Sequence, residues 1–92
     1  MTIARKLLIK GRVQGVFYRG WMVEQAQGLG VAGWVRNRAG GDVEALVIGA
    51  PEAVAALIER CRSGPPAAKV TGIAVEETEI VEAEGFRQRP TV

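Results

Sequence analysis

Ninety-two residues, 48% of them hydrophobic, are enough for one domain around a single small core. The net charge of +2, from 12 basic and 10 acidic residues, is too mild for charge alone to imply a nucleic-acid partner. One cysteine and no histidine exclude an internal disulfide, a multi-cysteine zinc site, a Ser-His-Asp triad and a histidine-ligated metal, so catalysis would have to rest on arginine, amides, acids and water.

The start of the chain, Met1 to Lys6, is followed by only Leu7, Leu8 and Ile9 before Lys10, which predicts neither a signal peptide nor a membrane span. A cytoplasmic domain without membrane attachment is expected. Residues 3–10 alternate as a strand, with Ile3, Leu7 and Ile9 on one face and Lys6, Leu8 and Lys10 on the other. From Arg19 to Leu29 the apolar residues Tyr18, Met22, Ala26 and Leu29 recur at helical spacing, and Gly30 follows as a helix-ending glycine would. Residues 31–36 read as a second strand, Arg38-Ala39-Gly40-Gly41-Asp42 as a turn, and Val43 to Ile48 as a third strand, so that strands two and three form a hairpin. Pro51 and Glu52 open a second helix, whose apolar stripe is Val54, Leu57, Ile58 and Cys61. The segment Ser63-Gly64-Pro65-Pro66 stops it. Val70, Ile73 and Val75 mark a fourth strand, and Phe86-Arg87-Gln88-Arg89 a short terminal one.

The order strand, helix, strand, strand, helix, strand predicts an α+β, ferredoxin-like (βαββαβ) sandwich. One antiparallel sheet would carry both helices on one face, with the short terminal strand added. That plan hosts enzymes, RNA binders and regulatory modules alike, so function has to be argued from residues. Residues 1–92 are read as one domain.

The stretch Gly11-Arg12-Val13-Gln14-Gly15-Val16-Phe17-Tyr18-Arg19 lies between the first strand and the first helix. Glycines in such a turn let successive amides point inward as an anion-binding nest beside the positive end of a helix. Arginine adds a planar fork of donors matched to phosphate or carboxylate. A cation in a first helical turn opposes the helix dipole unless an anion compensates it, which favours a functional role for Arg19. The basic residues Arg5, Lys6, Lys10 and Arg12 are expected around this oxyanion cradle, whereas the glutamates at 76, 77, 79, 82 and 84 read as a solvated strand and loop. Asn37, at the end of strand two, reads on its own as a turn former. Trp34 reads as sheet-face packing, and Cys61 as a buried inert thiol.

Taken together, Gly11 to Arg19, Ala26-x-x-Leu29-Gly30-Val31-x-Gly33-Trp34-Val35-x-Asn37 and Gly41-x-Val43-Glu44 resemble the acylphosphatase family. The match runs on through Gly49 and Gly64-Pro65-Pro66 to Phe86. The resemblance implies the same ferredoxin-like fold and hydrolysis of acyl phosphates to a carboxylate and inorganic phosphate, with no metal or organic cofactor. It implies that Arg19 grips the phosphate, that the amides of Gly15, Val16, Phe17 and Tyr18 join it, and that Asn37 positions the attacking water. It further implies a small monomer whose ligands are a small-molecule acyl phosphate and inorganic phosphate or other small oxyanions, not nucleic acid. Tyr18 stands where phenylalanine is usual in the family, Gly20 lies early in helix one, and Arg38 follows Asn37 where many relatives carry a smaller or uncharged residue.

The runner-up is a non-catalytic anion-binding or regulatory module on the same fold, or an acylphosphatase-like domain released from a larger protein. A chain running from Met1 to just beyond Phe86 favours a free-standing enzyme. An RNA-binding sheet is the third reading. It is disfavoured because Leu7 to Ile9 and Val43 to Ile48 include no aromatic residue on which a base could stack.

Overall fold

The computed structural model describes residues 1–92. Its elements are β1 (Ile3–Arg12), α1 (Tyr18–Leu29), β2 (Ala32–Asn37), β3 (Val43–Gly49), α2 (Pro51–Cys61), β4 (Lys69–Glu77) and β5 (Phe86–Gln88). The strands form one sheet in the order β4-β1-β3-β2-β5. The pairs β1–β3, β1–β4 and β2–β3 are antiparallel, as expected of the ferredoxin-like plan. The terminal strand departs from it: β5 runs parallel to β2, with Phe86 opposite Gly33 and Gln88 opposite Val35, so the complete sheet is mixed.

Period-two alternation decides what each strand buries. Leu7 and Ile9 of β1, Val35 of β2 and Val43, Ala45 and Val47 of β3 share one face. They join Tyr18, Met22 and Ala26 of α1 and Val54, Leu57 and Cys61 of α2 in a single fully buried cluster, so both helices cover that face. The opposite face has no helix on it, and there Ala4, Leu46 and Ile48 form a small second cluster under Trp34. Helix α2 follows its apolar stripe and starts at Pro51 with Glu52 in its first turn. Helix α1 ends at Gly30, in the left-handed conformation (φ 71) that stops a helix most easily in glycine.

At the end of β1 the register with β4 shifts between Lys10 and Gly11. Gly11 has φ 123, and a Cβ there would run into the carbonyl oxygen of Lys69. Only glycine lets the two strands close at this bulge, after which Gly11 and Arg12 stay paired with Val70 and Lys69 before the loop begins. Val13 then returns to the core, anchoring the loop's base.

Candidate active site

Residues 13–17 connect β1 to α1 and enter the helix through an unusual conformation. Phe17 occupies the N-cap position at φ 63, ψ 27, the left-handed region, where a bulky residue is strained. Gly15, two residues earlier, has φ 73. Positive-φ residues at two nearby positions make the chain curl, the backbone arrangement that produces a concave anion nest. The Phe17 ring is 66% exposed and lies over Gly20, where a Cβ would strike it; this accounts for a glycine in the first turn of α1.

The start of α1 is open in two further respects. No side chain caps it, and its first turn contains no acid. The first helical hydrogen bond is donated by Trp21 N–H to the Phe17 carbonyl (3.0 Å), so the amides of residues 18–20 have no acceptor within the helix. Arg19, in this turn, makes none of the chain's ion pairs or side-chain hydrogen bonds, which engage other residues. A partly buried guanidinium, uncapped amides and the positive pole of a helix therefore converge with no protein anion to compensate them.

A cleft of about 190 Å³ lies at this point. Its walls include Gln14, Gly15, Phe17, Arg19, Asn37 and Gln88. The sequence-predicted pair Arg19 and Asn37 thus meets in one cavity, with Gly15, Phe17 and Tyr18 of the loop also lining it. Val16 is not on the wall; its side chain packs against the core. Tyr18 turns inward: it is 1% exposed, and its hydroxyl donates to the Cys61 carbonyl at 2.6 Å. Burial raises the pKa of the Tyr18 phenol and pushes the Cys61 thiol up to about 12, so both stay protonated, and Cys61 is the inert thiol expected.

Asn37 is the last residue of β2 and, two residues beyond the buried Val35, belongs to the helix-covered face. Its backbone is held from outside the sheet as well: Val92 N–H donates to the Asn37 carbonyl (3.1 Å), and Ala39 N–H to the Val92 carbonyl (2.7 Å).

Two polar cleft residues, Gln14 and Gln88, lie outside the set expected from the sequence. Gln14 donates through Nε2 to the carbonyls of Arg38 (2.7 Å) and Asp42 (3.0 Å). Gln88 follows from β5, where alternation from the buried Phe86 turns residue 88 to the same face. The sequence signal for it is the period-two spacing from Phe86, the strand's anchor.

The basic residues do not all gather at the cleft. Lys6, Arg36 and Arg38 converge instead on Glu44, at 3.1, 2.7 and 3.3 Å, on the helix-free face of the sheet. Glu44 is 4% exposed, and the hydrogen bonds from Arg36 and Lys6 hold its carboxyl below its usual range although burial acts the other way. Arg38, which follows Asn37 in the chain, therefore has a carboxylate partner on the far side of the sheet. Trp34 packs on that same face, with the guanidinium of Arg36 4.6 Å and that of Arg89 5.0 Å from its ring centre.

This fold has close counterparts. The acylphosphatase family model matches residues 5–88. An acylphosphatase of Rhizorhabdus wittichii is 56% identical over 90 residues, covering 98% of this chain and 91% of the relative. The solved structure of an acylphosphatase from Coxiella burnetii superposes with a TM-score of 0.93 at 34% identity, covering 96% of this chain and 93% of that one. That of the Bacillus subtilis acylphosphatase superposes with a TM-score of 0.91 at 36% identity, covering 97% and 99%. With near-complete coverage in both directions and the loop and Asn37 inside the matched region, the chain belongs to the acylphosphatase family.

Proposed function

We propose that this acylphosphatase hydrolyses its acyl phosphate in the cleft between α1 and β2, with Arg19 and the amides of residues 15–18 holding the phosphate and Asn37 holding the water. The observation that carries the reading is the meeting of an uncompensated Arg19, an uncapped helix start and Asn37 in one small cavity. Carboxylate is a good leaving group, so the reaction needs little general-acid help, which suits a chain without histidine. In a loose phosphoryl-transfer transition state, charge spreads over the equatorial oxygens, and catalysis is mainly positioning plus electrostatic stabilisation. The arginine fork and the loop amides supply that field already oriented. The Asn37 amide accepts one hydrogen bond from water and donates another, aligning it opposite the leaving carboxylate. An amide is too weak a base to deprotonate the water, so the proton passes to a phosphate oxygen of the substrate. A strong dependence of rate on an enzyme pKa near neutrality would contradict that last step.

The enzyme acts as a cytoplasmic monomer of one domain on a small molecule, with no metal and no nucleic acid. The Glu44 knot and the guanidinium groups beside Trp34 support the last point, because they occupy the cations and the aromatic ring that an RNA-binding sheet would present. Phosphate release from benzoyl phosphate or acetyl phosphate in excess EDTA tests the reaction: activity insensitive to the chelator is expected. Phosphate binding with no turnover would instead favour a non-catalytic anion-binding module.

A further inference from the structure

The cradle and Asn37 reach the cleft from strands that are not neighbours, since β3 lies between β1 and β2. No backbone hydrogen bond joins loop 13–17 to turn 38–42. The link is one side chain. Gln14 Nε2 spends both its protons on the carbonyls of Arg38 (2.7 Å) and Asp42 (3.0 Å), the two ends of the turn that begins directly after Asn37. The Asp42 carbonyl also receives the Arg38 N–H at 2.8 Å, so the Gln14 amide locks a turn that closes on the same oxygen. On its other side the turn is held by Val92, through the Asn37 carbonyl and the Ala39 amide. Gln14 immediately precedes Gly15, where the nest begins.

We infer that Gln14 is a positioning residue that fixes the spacing between the phosphate cradle and the Asn37 side chain, and so aligns water with the bound phosphorus. The inference rests on the reading of the cleft given above. Its physical basis is that a displacement of about 1 Å from a near-attack geometry can cost on the order of 100-fold in rate. A single amide bridging two separately anchored backbone segments controls a displacement of that size. The Arg38 and Asp42 carbonyls lie at a partly solvated turn, where water can replace the lost donor, so the effect falls on alignment rather than on folding.

The test is a double-mutant cycle with Gln14→Met, which keeps the length of the side chain and removes both donors, and Asn37→Ala. With benzoyl phosphate, Gln14→Met is expected to lower kcat at least tenfold while the inhibition constant for inorganic phosphate stays within about threefold. In the Asn37→Ala background the same change is expected to cost less than about twofold, because there is no longer a water clamp to misplace. A spectroscopic measurement stands apart from turnover: the Asn37 side-chain amide resonance of phosphate-bound Gln14→Met should shift or broaden, with the amides of residues 15–18 unchanged. A parallel loss of kcat and phosphate affinity would make Gln14 part of the cradle and overturn the inference. So would an undiminished loss in the Asn37→Ala background, or an unaltered Asn37 resonance. Wild-type protein that releases no phosphate would overturn the reading of the cleft itself. An active wild type with an equally active Gln14→Met overturns only the role of Gln14.

Discussion

Positive charge is concentrated at two places in this molecule, and the fold treats them in opposite ways. On the helix-free face, Lys6, Arg36 and Arg38 close around one buried carboxylate, Glu44. At the start of α1, Arg19 stands beside uncapped amides with no carboxylate in reach and no acid in the first helical turn. The first arrangement is satisfied from within the chain. The second has no such partner within the chain, and the strained backbone at Phe17 belongs to it; in the proposed reading an incoming anion supplies the partner. What separates the structural knot from the proposed binding site is compensation rather than the amount of charge: three cations share a carboxylate at the knot, and the single arginine at the cleft has none.

The largest test of that contrast is Arg19→Ala. Loss of one preorganised donor typically costs roughly 100- to 1,000-fold in kcat, and at least this much is expected here, together with weaker inhibition by phosphate. Stability should not fall, because a cation at the positive end of a helix is unfavourable by about 0.3–1 kcal/mol without an anion. A urea midpoint equal to or slightly above that of wild type is the expected accompaniment. Arg19→Lys discriminates further: near-native turnover in that variant would mean that a point charge suffices without the planar fork. Asn37→Ala comes next, with a loss of turnover on the order of 100-fold but little change in phosphate affinity. If phosphate binding collapsed as well, Asn37 would belong to the cradle.

The knot should give the reverse result. Glu44→Gln is expected to lower stability by about 2 kcal/mol at pH 7, below the roughly 3–5 kcal/mol of a fully buried pair, because Lys6 and Arg38 are half exposed and partly screened. Its kcat/KM should stay within about threefold of wild type. The pH dependence follows from the direction of the Glu44 shift. The folded-state pKa lies below the ordinary 4.5, so the charged form contributes stability above that value, and the contribution is lost as pH falls through the folded pKa. Urea midpoints of wild type and Glu44→Gln should therefore converge in acid. A gap that persists there would mean that shape, not charge, holds the knot together.

The sequence carried the cleft better than it carried the knot. Loop 13–17 and the helix start were legible because local signals mark them: glycines at turn positions and a cation where the dipole disfavours one. Asn37 on its own reads as a turn former, and only the resemblance of the whole pattern to a family joined it to the loop. The element order likewise followed from periodicity; boundaries moved by a residue or two at most, as past the bulge at Gly11, while α1 ends at Leu29 before Gly30 as expected. Alternation placed Lys6 on the outer face, but not opposite Leu46 and beside Glu44, which depends on the β1–β3 register. The contact to Arg38 needed the conformation of the turn as well. The parallel pairing of β5 was hidden for a related reason. Its direction is set by the path of residues 78–85 from one edge of the sheet to the other, and that stretch has no periodicity to read. Gln14 was visible as a polar residue between the core residue Val13 and the cradle glycine; its partners, from another hairpin, were not.

The smallest expected effect tests how the cleft's foundation is anchored. Tyr18 opens α1, and its buried hydroxyl satisfies the carbonyl of Cys61 at the end of α2, tying the two helices together directly behind the loop. Tyr18→Phe keeps the ring in the core and removes this bond, leaving the carbonyl without its donor, so a loss of about 1 kcal/mol in urea unfolding is expected. The sign of the pH dependence is opposite to that of Glu44. Burial raises the Tyr18 pKa above its ordinary 10, so the bond's contribution is complete below pH 10 and declines as pH rises further. The difference between wild type and Tyr18→Phe should accordingly be constant from neutrality to about pH 9 and narrow above pH 10. Equal stability at pH 7 would mean that the hydroxyl only offsets its own desolvation. Phenylalanine would then serve the anchor as well as tyrosine does.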